Sequence, residues 1–194
     1  MTRIVLIHAG PTQWDVEGRL TGNHPLPLTE SARAAIEQIA AGLSDSVSSV
    51  HCYKKNEACH EAAKIVARGL KLPVSDNSAL DEMKLGLWQG LTRNELKFRY
   101  PKVVTQWEQN PLLVQPPEGE TLEEAIDRLR GGLRRILRKK RGPGIVLPLR
   151  PLAMQIMLGI LLRQEPLAIA SHLPNTSPSE TIELSDEALQ ELIS

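Results

Sequence analysis

Short apolar runs alternate with longer amphipathic segments along most of the chain. Residues 4–7 form a β-branched apolar run bounded by Gly10 and Pro11, which predicts a buried strand that ends abruptly. Similar short runs predict further strands or extended turns at 47–52, 72–74, 145–149 (interrupted by Pro148) and 181–184. Apolar positions three or four residues apart predict helices over 29–43, 56–70, 92–100, 103–109, 122–141, 151–162 and 186–193. Residues 78–88 are expected to form a short strand or loop, and 111–121 a loop rich in proline and glycine.

This alternation of strands and helices favours an α/β fold with a mostly parallel sheet and helices on both faces. A length of 194 residues suits one domain, spanning 1–194. Ligands of such folds bind just past the carboxyl ends of the strands. We therefore expect His8, Gly10 and Thr12 to line a crevice, with Trp14 and Trp88 as its walls.

Composition and charge exclude several classes of partner. The 23 basic residues balance the 23 acidic ones, so net charge favours neither nucleic acid nor an acidic membrane surface. Aromatic residues make up only 3% of the chain, which argues against a base-stacking surface. The basic run 128–141 is interpreted as the solvated face of an amphipathic helix, with polyanion binding as the alternative. No signal peptide or membrane span is expected, and a cytoplasmic location follows as the default.

Cysteine and histidine spacing predicts no metal site. Cys52 and Cys59 fit neither a metal-binding pattern nor a disulfide framework, and Cys52 is expected in a core strand. His51 and His60 lack carboxylate or cysteine partners at metal-ligand spacing. We expect neither a metal nor a cofactor.

Several blocks in the chain match one known pattern in order. They are Leu6-Ile7, Gly10, Thr12, Trp14, Gly18-Arg19, Gly22, Pro27-Leu28-Thr29-Glu30, Leu80, Glu82, Gly86, Trp88, Gly90, Thr92, Gly119-Glu120-Thr121 and Arg128. In these blocks the sequence resembles the histidine phosphatase superfamily, phosphoglycerate-mutase-like branch, over nearly its whole length. The resemblance implies a three-layer α/β/α sandwich, and it implies that Glu82 stands at the family's proton-donor position.

The residues that carry this family's chemistry differ here. The resemblance implies R-H-G-x-T after the first strand, with the histidine as the nucleophile that takes up the phosphoryl group. Residues 8–12 read H-A-G-P-T instead, so Ala9 stands at the nucleophile position and His8 at the first phosphate-holding arginine. By the same resemblance, Glu57 replaces the second arginine and Arg150 falls where the second histidine is expected.

These differences favour a catalytically inactive relative that binds a ligand, regulates or acts as a scaffold. A methyl group has no lone pair with which to attack phosphorus. The expected ligand-binding positions are His8, Gly10, Thr12, Arg19, Glu57 and Arg150. We further hypothesise that Glu57 and Arg150 pair across the old pocket and block phosphate.

Two other functions remain open at this point. One is a phosphomonoesterase or mutase-like hydrolase with altered chemistry, using His8 or His172, although His172 is expected in a surface loop. The other is a purely structural domain that forms oligomers. The expected partner is a small anionic ligand or another protein; Arg150 and His8 are suited to hold a carboxylate or similar anion.

Overall fold

A five-stranded sheet forms the centre of the fold in the computed structural model, which describes residues 1–43, 46–166 and 177–193. The strands are β1 (Thr2–His8), β2 (Ser49–Cys52), β3 (Val74–Asp76), β4 (Gly144–Leu149) and β5 (Ser179–Leu184). Their order across the sheet is β3-β2-β4-β1-β5. All neighbouring pairs are parallel except β1 and β5, which are antiparallel.

Helices cover both faces of this sheet. They are α1 (Gln13–Val16), α2 (Glu30–Gly42), α3 (Glu57–Leu70), α4 (Arg93–Arg99), α5 (Pro101–Gln109), α6 (Leu122–Lys139), α7 (Pro151–Leu161) and α8 (Asp186–Ile193). Side chains of α2 and α3 form one buried cluster with Val5, Ile7 and Ala9 of one sheet face. Side chains of α4 to α7 form a second cluster with Ile4 and Leu6 of the other face. The predicted α/β class with a mostly parallel sheet is therefore confirmed.

Local sequence signals explain where the helices begin. Thr29 and Asn56 accept hydrogen bonds from backbone amides in the first turns of α2 and α3, respectively. Thr92 and Thr121 form capping boxes with the glutamates three residues later, at the starts of α4 and α6. Such side chains satisfy backbone donors that a helix start leaves unpaired.

Several element boundaries differ from the sequence-based expectation. The second strand begins at Ser49 rather than 47, and the third spans Val74–Asp76 rather than 72–74. The region 78–88 contains two short 3-10 turns, and residues 13–16, for which the apolar pattern predicts no element, form the single-turn helix α1. Pro148 does not interrupt β4, because the pairing of β4 with β2 ends at Val146. Beyond Val146, β4 needs no backbone amide to donate to β2, so the missing N–H of Pro148 costs no hydrogen bond on that side.

Two basic side chains of α6 contact another helix of the fold. Arg134 and Arg138 donate to the backbone oxygens of Leu192 and Ile193 at the end of α8. Cationic side chains are favourable partners for the carboxyl end of a helix, where unpaired carbonyls carry partial negative charge. Arg134 and Arg138 therefore hold α8 in place, whereas the sequence predicted a solvated face for the whole basic run.

Within the described ranges, none of the helices combines the length and apolarity required to cross a bilayer. His172 lies outside the described residues.

Candidate functional site

The carboxyl ends of β1 and β4 meet at the centre of the sheet and form the base of the site. The Ala9 amide donates to the carbonyl of Leu149 at 2.8 Å, which fixes the two strand ends side by side. The Ala9 side chain is 0% exposed and packs in the cluster with α2 and α3. Gly10 follows with φ +72°, and a Cβ there would lie 2.6 Å from the Ala32 Cβ. Only glycine fits this turn without displacing α2.

Beside this turn, the buried Arg150 forms an ion pair with the half-buried Asp15. Arg150 is 2% exposed, and its Nη2 lies 2.8 Å and 2.7 Å from the two carboxylate oxygens of Asp15. Its Nη1 donates to the Gly10 carbonyl. Asp15 also accepts from the Thr12 amide and hydroxyl, each at 2.6 Å, and from the Thr21 hydroxyl at 3.1 Å. Both carboxylate oxygens of Asp15 and both terminal nitrogens of Arg150 therefore have partners within the protein.

The electrostatics of Asp15 follow from these contacts. Burial raises the pKa of its carboxyl, but the Arg150 charge and the hydrogen bonds from Thr12 outweigh burial, so the pKa lies below its usual value. The Asp15 carboxylate is consequently ionised at neutral pH and compensates the charge of Arg150.

The hypothesis that Glu57 and Arg150 pair is wrong. Arg150 pairs with Asp15, whereas Glu57 is the exposed first residue of α3. The reason lies in the helix: Asn56 caps it, and its buried stripe begins at Ala58 and Cys59, which turns Glu57 towards solvent. The carboxylate that neutralises Arg150 comes from the loop after β1 instead.

Glu82 is buried against the start of α7. Its Oε1 accepts from the amides of Met83 at 2.6 Å and Ala153 at 2.8 Å, and its Oε2 accepts from the amide of Leu152 at 2.9 Å. Burial raises the pKa of Glu82 to about 7, against the lowering effect of these hydrogen bonds and of Arg150. Its carboxyl oxygens are thus engaged by backbone donors of the helix that follows Arg150.

Arg128 positions the segment that carries Glu82. Its Nη1 donates to the carbonyls of Ala79 and Asp81, both at 2.9 Å, and its guanidinium pairs with Glu120. The carbonyl of Glu82 lies 3.4 Å from Nη2. One side chain of α6 therefore holds the carbonyls of three residues, Ala79, Asp81 and Glu82, relative to the helix layer.

His8 occupies the last position of β1, on the opposite face from Ala9 because side chains alternate along a strand. Burial, and then the charge of Arg150, lower the pKa of His8 to about 4, while Asp15 acts in the raising direction. Its Nε2 is buried and has no hydrogen-bond partner among the described residues. The imidazole is therefore neutral at pH 7.

A cleft of about 540 Å³ opens above Asp15, Glu82 and Arg150. Most of its wall is apolar, and it lies among α4, α5, the start of α7 and the loop after β1. The lining residues are Asp15, Arg19, Leu20, Thr21, Gly22, Glu82, Leu85, Trp88, Arg93, Leu96, Val104, Trp107, Glu108, Gln109, Pro111, Arg150, Pro151 and Leu152. Trp88 walls it as predicted, whereas Trp14 stacks on His24 with the ring centroids 4.6 Å apart.

The structure brings most of the predicted site positions together and adds others. Arg19, Glu82 and Arg150 line the cleft. Gly10 and Thr12 do not line it but contact the ion pair directly, whereas His8 and Glu57 lie outside the lining, contrary to the prediction. Sequence reasoning missed Asp15, Thr21, Arg93 and Trp107. A threonine followed three residues later by an acidic residue is a capping-box pattern, and this signal could have singled out Asp15. Among the described residues, no three potential metal-ligating side chains cluster suitably for an ion.

The fold and this arrangement agree with one known family. The sequence model of the histidine phosphatase superfamily (branch 1) matches residues 4–190. The chain belongs to the histidine phosphatase superfamily.

Among superfamily members, the chain is similar to phosphoglycerate mutase-like protein 4 of Arabidopsis thaliana. The two are 31% identical over 146 residues, which is 74% of this chain but only 64% of the plant protein. A solved structure, Bacillus stearothermophilus YhfR, superposes with a TM-score of 0.86 at 23% identity, covering 96% of this chain and 93% of that one. The structure of the alpha-ribazole phosphatase from Shigella flexneri superposes with a TM-score of 0.83 at 22% identity, covering 95% of this chain and 92% of that one. Both structures establish a shared fold.

Proposed function

We propose that this member of the histidine phosphatase superfamily has lost phosphoryl transfer through histidine and uses its cleft to bind a small ligand. The observation that carries the proposal is Ala9. Its methyl group occupies the position that the family resemblance assigns to the nucleophile, and it is 0% exposed. Covalent catalysis requires a lone pair at the point of attack, and this position supplies none.

The loss is large in energetic terms. Removing the nucleophile from a covalent catalytic unit costs on the order of a million-fold in kcat. At roughly 1.4 kcal/mol per factor of ten, this is about 8 kcal/mol of barrier. Glu82 cannot replace that contribution, because an acid that protonates a leaving group still needs an attacking group on phosphorus.

The charge at the floor of the cleft supports the same conclusion. A phosphoryl group needs donors and positive charge that are not already engaged. Here Arg150 is compensated by Asp15, and Glu82 accepts from the amides that begin α7. A phosphate dianion would have to displace the half-buried Asp15 carboxylate from Arg150, which would leave that carboxylate without its partner.

The rest of the cleft favours a mostly apolar ligand with one acidic group. Its volume of about 540 Å³ falls within the range of about 300–1,000 Å³ typical of small-molecule sites. Arg19 is paired with Glu17 and Glu95, whereas Arg93 is an exposed lining cation without a hydrogen-bond or ion-pair partner in the described ranges. A carboxylate or similar anion at Arg93, with a hydrocarbon or aromatic body deeper in the cleft, matches this distribution.

A phosphomonoesterase that uses His8 is the second candidate. Two observations favour it: the His8 imidazole is neutral at pH 7, so a nitrogen lone pair exists, and structurally similar chains include an alpha-ribazole phosphatase. Its weakness is access, because the Nε2 atom is buried and the His8 side chain does not line the cleft.

Hydrolysis of an aryl phosphate by wild type and by His8→Ala separates the two candidates. We expect both proteins to release aryl alcohol at the same background rate, since neither contains a usable nucleophile. Turnover by wild type that disappears in His8→Ala would instead establish the phosphomonoesterase. A rate above the protein-free background that the two proteins share would rule out His8 as the attacking group.

Ligand binding is tested separately with the cleft tryptophans as reporters. Trp88 and Trp107 line the cleft and lie edge to face with their ring centroids 5.9 Å apart, so an occupant changes their emission. Apolar carboxylic acids should quench or shift this fluorescence in wild type and bind more weakly to Arg93→Gln. Phosphate esters that carry the same apolar groups should bind no more tightly than these carboxylic acids. Tighter binding of the esters would contradict the proposed loss of the phosphate site.

A further inference from the structure

The Asp15 carboxylate is held as a bound anion is held. Its two oxygens receive donors from the Thr12 amide and hydroxyl at 2.6 Å, from the Thr21 hydroxyl at 3.1 Å, and from Arg150 Nη2 at 2.7–2.8 Å. Donors to an ionised acceptor make stronger hydrogen bonds than donors to a neutral one. The carboxylate thus fills a complete shell of donors supplied by separate parts of the chain.

Helix capping accounts for only part of this shell. Thr12 and Asp15 form the capping box of α1, which explains the two contacts with Thr12. The contacts with Thr21 and with Arg150, which lies 135 residues away in the sequence, are not required to begin a single-turn helix. They make the environment of Asp15 an anion site rather than a helix cap.

Contacts that do not involve Asp15 hold the donors in place. Arg150 lies between β4 and α7, and its Nη1 donates a hydrogen bond to the Gly10 carbonyl, which holds the guanidinium in place. Thr12 is held by a backbone bridge to Leu28, and both Thr12 and Thr21 are buried. Groups positioned in this way keep their arrangement when the Asp15 side chain is shortened.

The site opens towards the cleft. Asp15 and Arg150 both line it, and the Asp15 side chain retains 26% exposure. Asp15 itself lies on α1, a four-residue helix with exposed Glu17 after it and Gly18 at φ +70°. The occupying carboxylate is therefore carried by a short loop segment at the border of solvent.

We infer that Thr12, Thr21 and Arg150 form an oxyanion site of carboxylate size, and that the side chain of Asp15 is its built-in occupant. A group tethered this closely has an effective concentration of about millimolar or more, so free carboxylates do not displace it. Shortening residue 15 vacates the site, and a small free carboxylate then takes its place. The inference concerns binding and holds whether or not the chain transfers phosphoryl groups.

Asp15→Ala is the direct test, with sodium formate and sodium acetate as probes against sodium chloride at equal ionic strength. Calorimetric titration should show one formate bound per chain, at least about tenfold more tightly than to wild type, which corresponds to roughly 1.4 kcal/mol. Formate should also raise the thermal unfolding midpoint of the variant saturably. Adding Arg150→Gln to the variant should abolish both effects.

Asp127→Ala serves as the matched control. It removes an aspartate that pairs with Arg130 at 3.0 Å on the exposed side of α6, so it deletes an ion pair without vacating a buried site. Formate should leave its unfolding midpoint unchanged relative to chloride. Equal formate effects on the control and on Asp15→Ala, or no formate binding to folded Asp15→Ala, would refute the inference.

Refolding covers the case in which Asp15→Ala does not fold in chloride. Recovery of folded protein in formate or acetate, with none in chloride, supports the site, because the free anion then supplies the missing carboxylate. Failure to fold in all three salts contradicts it. Tighter binding of inorganic phosphate than of formate would also overturn the assignment, since the vacated space would then select a phosphoryl group over a carboxylate.

Discussion

At the scale of single residues, two buried titratable side chains have pKa values shifted in opposite senses. Burial and Arg150 lower the pKa of His8 to about 4, and burial raises that of Glu82 to about 7. Both shifts have the same root, since a buried site without a free countercharge disfavours the charged form of either group. Their effects on stability oppose each other across the mildly acidic range.

Replacing His8 by glutamine should remove an acid-dependent loss of stability. Between pH 4 and 6.5 the unfolded chain protonates His8 while the native protein does not, so this residue makes native stability rise with pH over that window. At roughly 1.4 kcal/mol per pKa unit, the full effect is about 3 kcal/mol. Urea unfolding of wild type and His8→Gln at several pH values measures it. A stability difference that stays constant from pH 4 to 6.5 would contradict the assignment.

Replacing Glu82 by glutamine should have the opposite pH dependence. Between about pH 4.5 and 7 the native protein keeps a proton on Glu82 that the unfolded chain has lost, so this residue makes native stability fall as pH rises. Glu82→Gln should therefore gain about 3 kcal/mol relative to wild type from the bottom to the top of that window. The same urea titrations show it. A gain on acidification would disprove a raised pKa for Glu82.

Among the elements, α6 determines the position of Glu82, because it packs closely against the 3-10 turn Ser78–Leu80 that precedes Glu82. A Cβ on Gly132 would lie 2.8 Å from the Ala79 Cβ, closer than such atoms pack. Arg128, one turn earlier on α6, donates to the carbonyls of that turn. The close helix contact and the arginine together set the height of Glu82 above the sheet.

The adjacent glycines of α6 provide a matched pair of variants. Gly132→Ala should destabilise the protein, because overpacking costs about 1–3 kcal/mol and the gain in helix propensity is at most about 1 kcal/mol. Gly131→Ala meets only the Arg135 side chain, at 3.6 Å, so it should be neutral or stabilising by up to about 1 kcal/mol. Chemical denaturation of both variants decides it. Equal effects at the two positions would show that α6 does not press on Ala79.

In the molecule as a whole, Ala9, at the position that the family resemblance assigns to the nucleophile, belongs to the packed layer between the sheet and α2. Ala9 is fully buried there, among side chains that include Ala32 and Ile36. A larger side chain at residue 9 therefore competes with the packing that holds two layers of the fold together.

Ala9→His should consequently be destabilised by about 1–3 kcal/mol and should remain inactive towards aryl phosphates. Overpacking causes the first effect. The second follows because Asp15 still compensates the charge of Arg150. Ala34→His, on the exposed side of α2, should stay within about 0.5 kcal/mol of wild type. Efficient turnover by Ala9→His would show that the substitution at residue 9 alone silences the chain.

The sequence predicts the architecture well because periodicity and capping are local signals. Thr29, Thr92 and Thr121 begin helices where expected, and the alternation of elements gives the α/β class. The predicted ion pair between Glu57 and Arg150 is wrong, because ion pairing depends on the direction in which side chains point. Glu57 points outward at the start of α3, and Asp15, 135 residues before Arg150 in the sequence, takes its place. Such long-range pairing leaves no periodic trace in a single sequence.

We propose that no histidine of this protein takes up a phosphoryl group. The most direct measurement incubates purified wild type and His8→Ala with a small phosphoryl donor carrying radioactive phosphorus. The proteins are then denatured in alkali, where phosphohistidine survives, and bound label is counted. We predict no label on either protein above a heat-denatured control. Label on wild type that is stable to alkali, lost in acid and absent from His8→Ala would contradict the account.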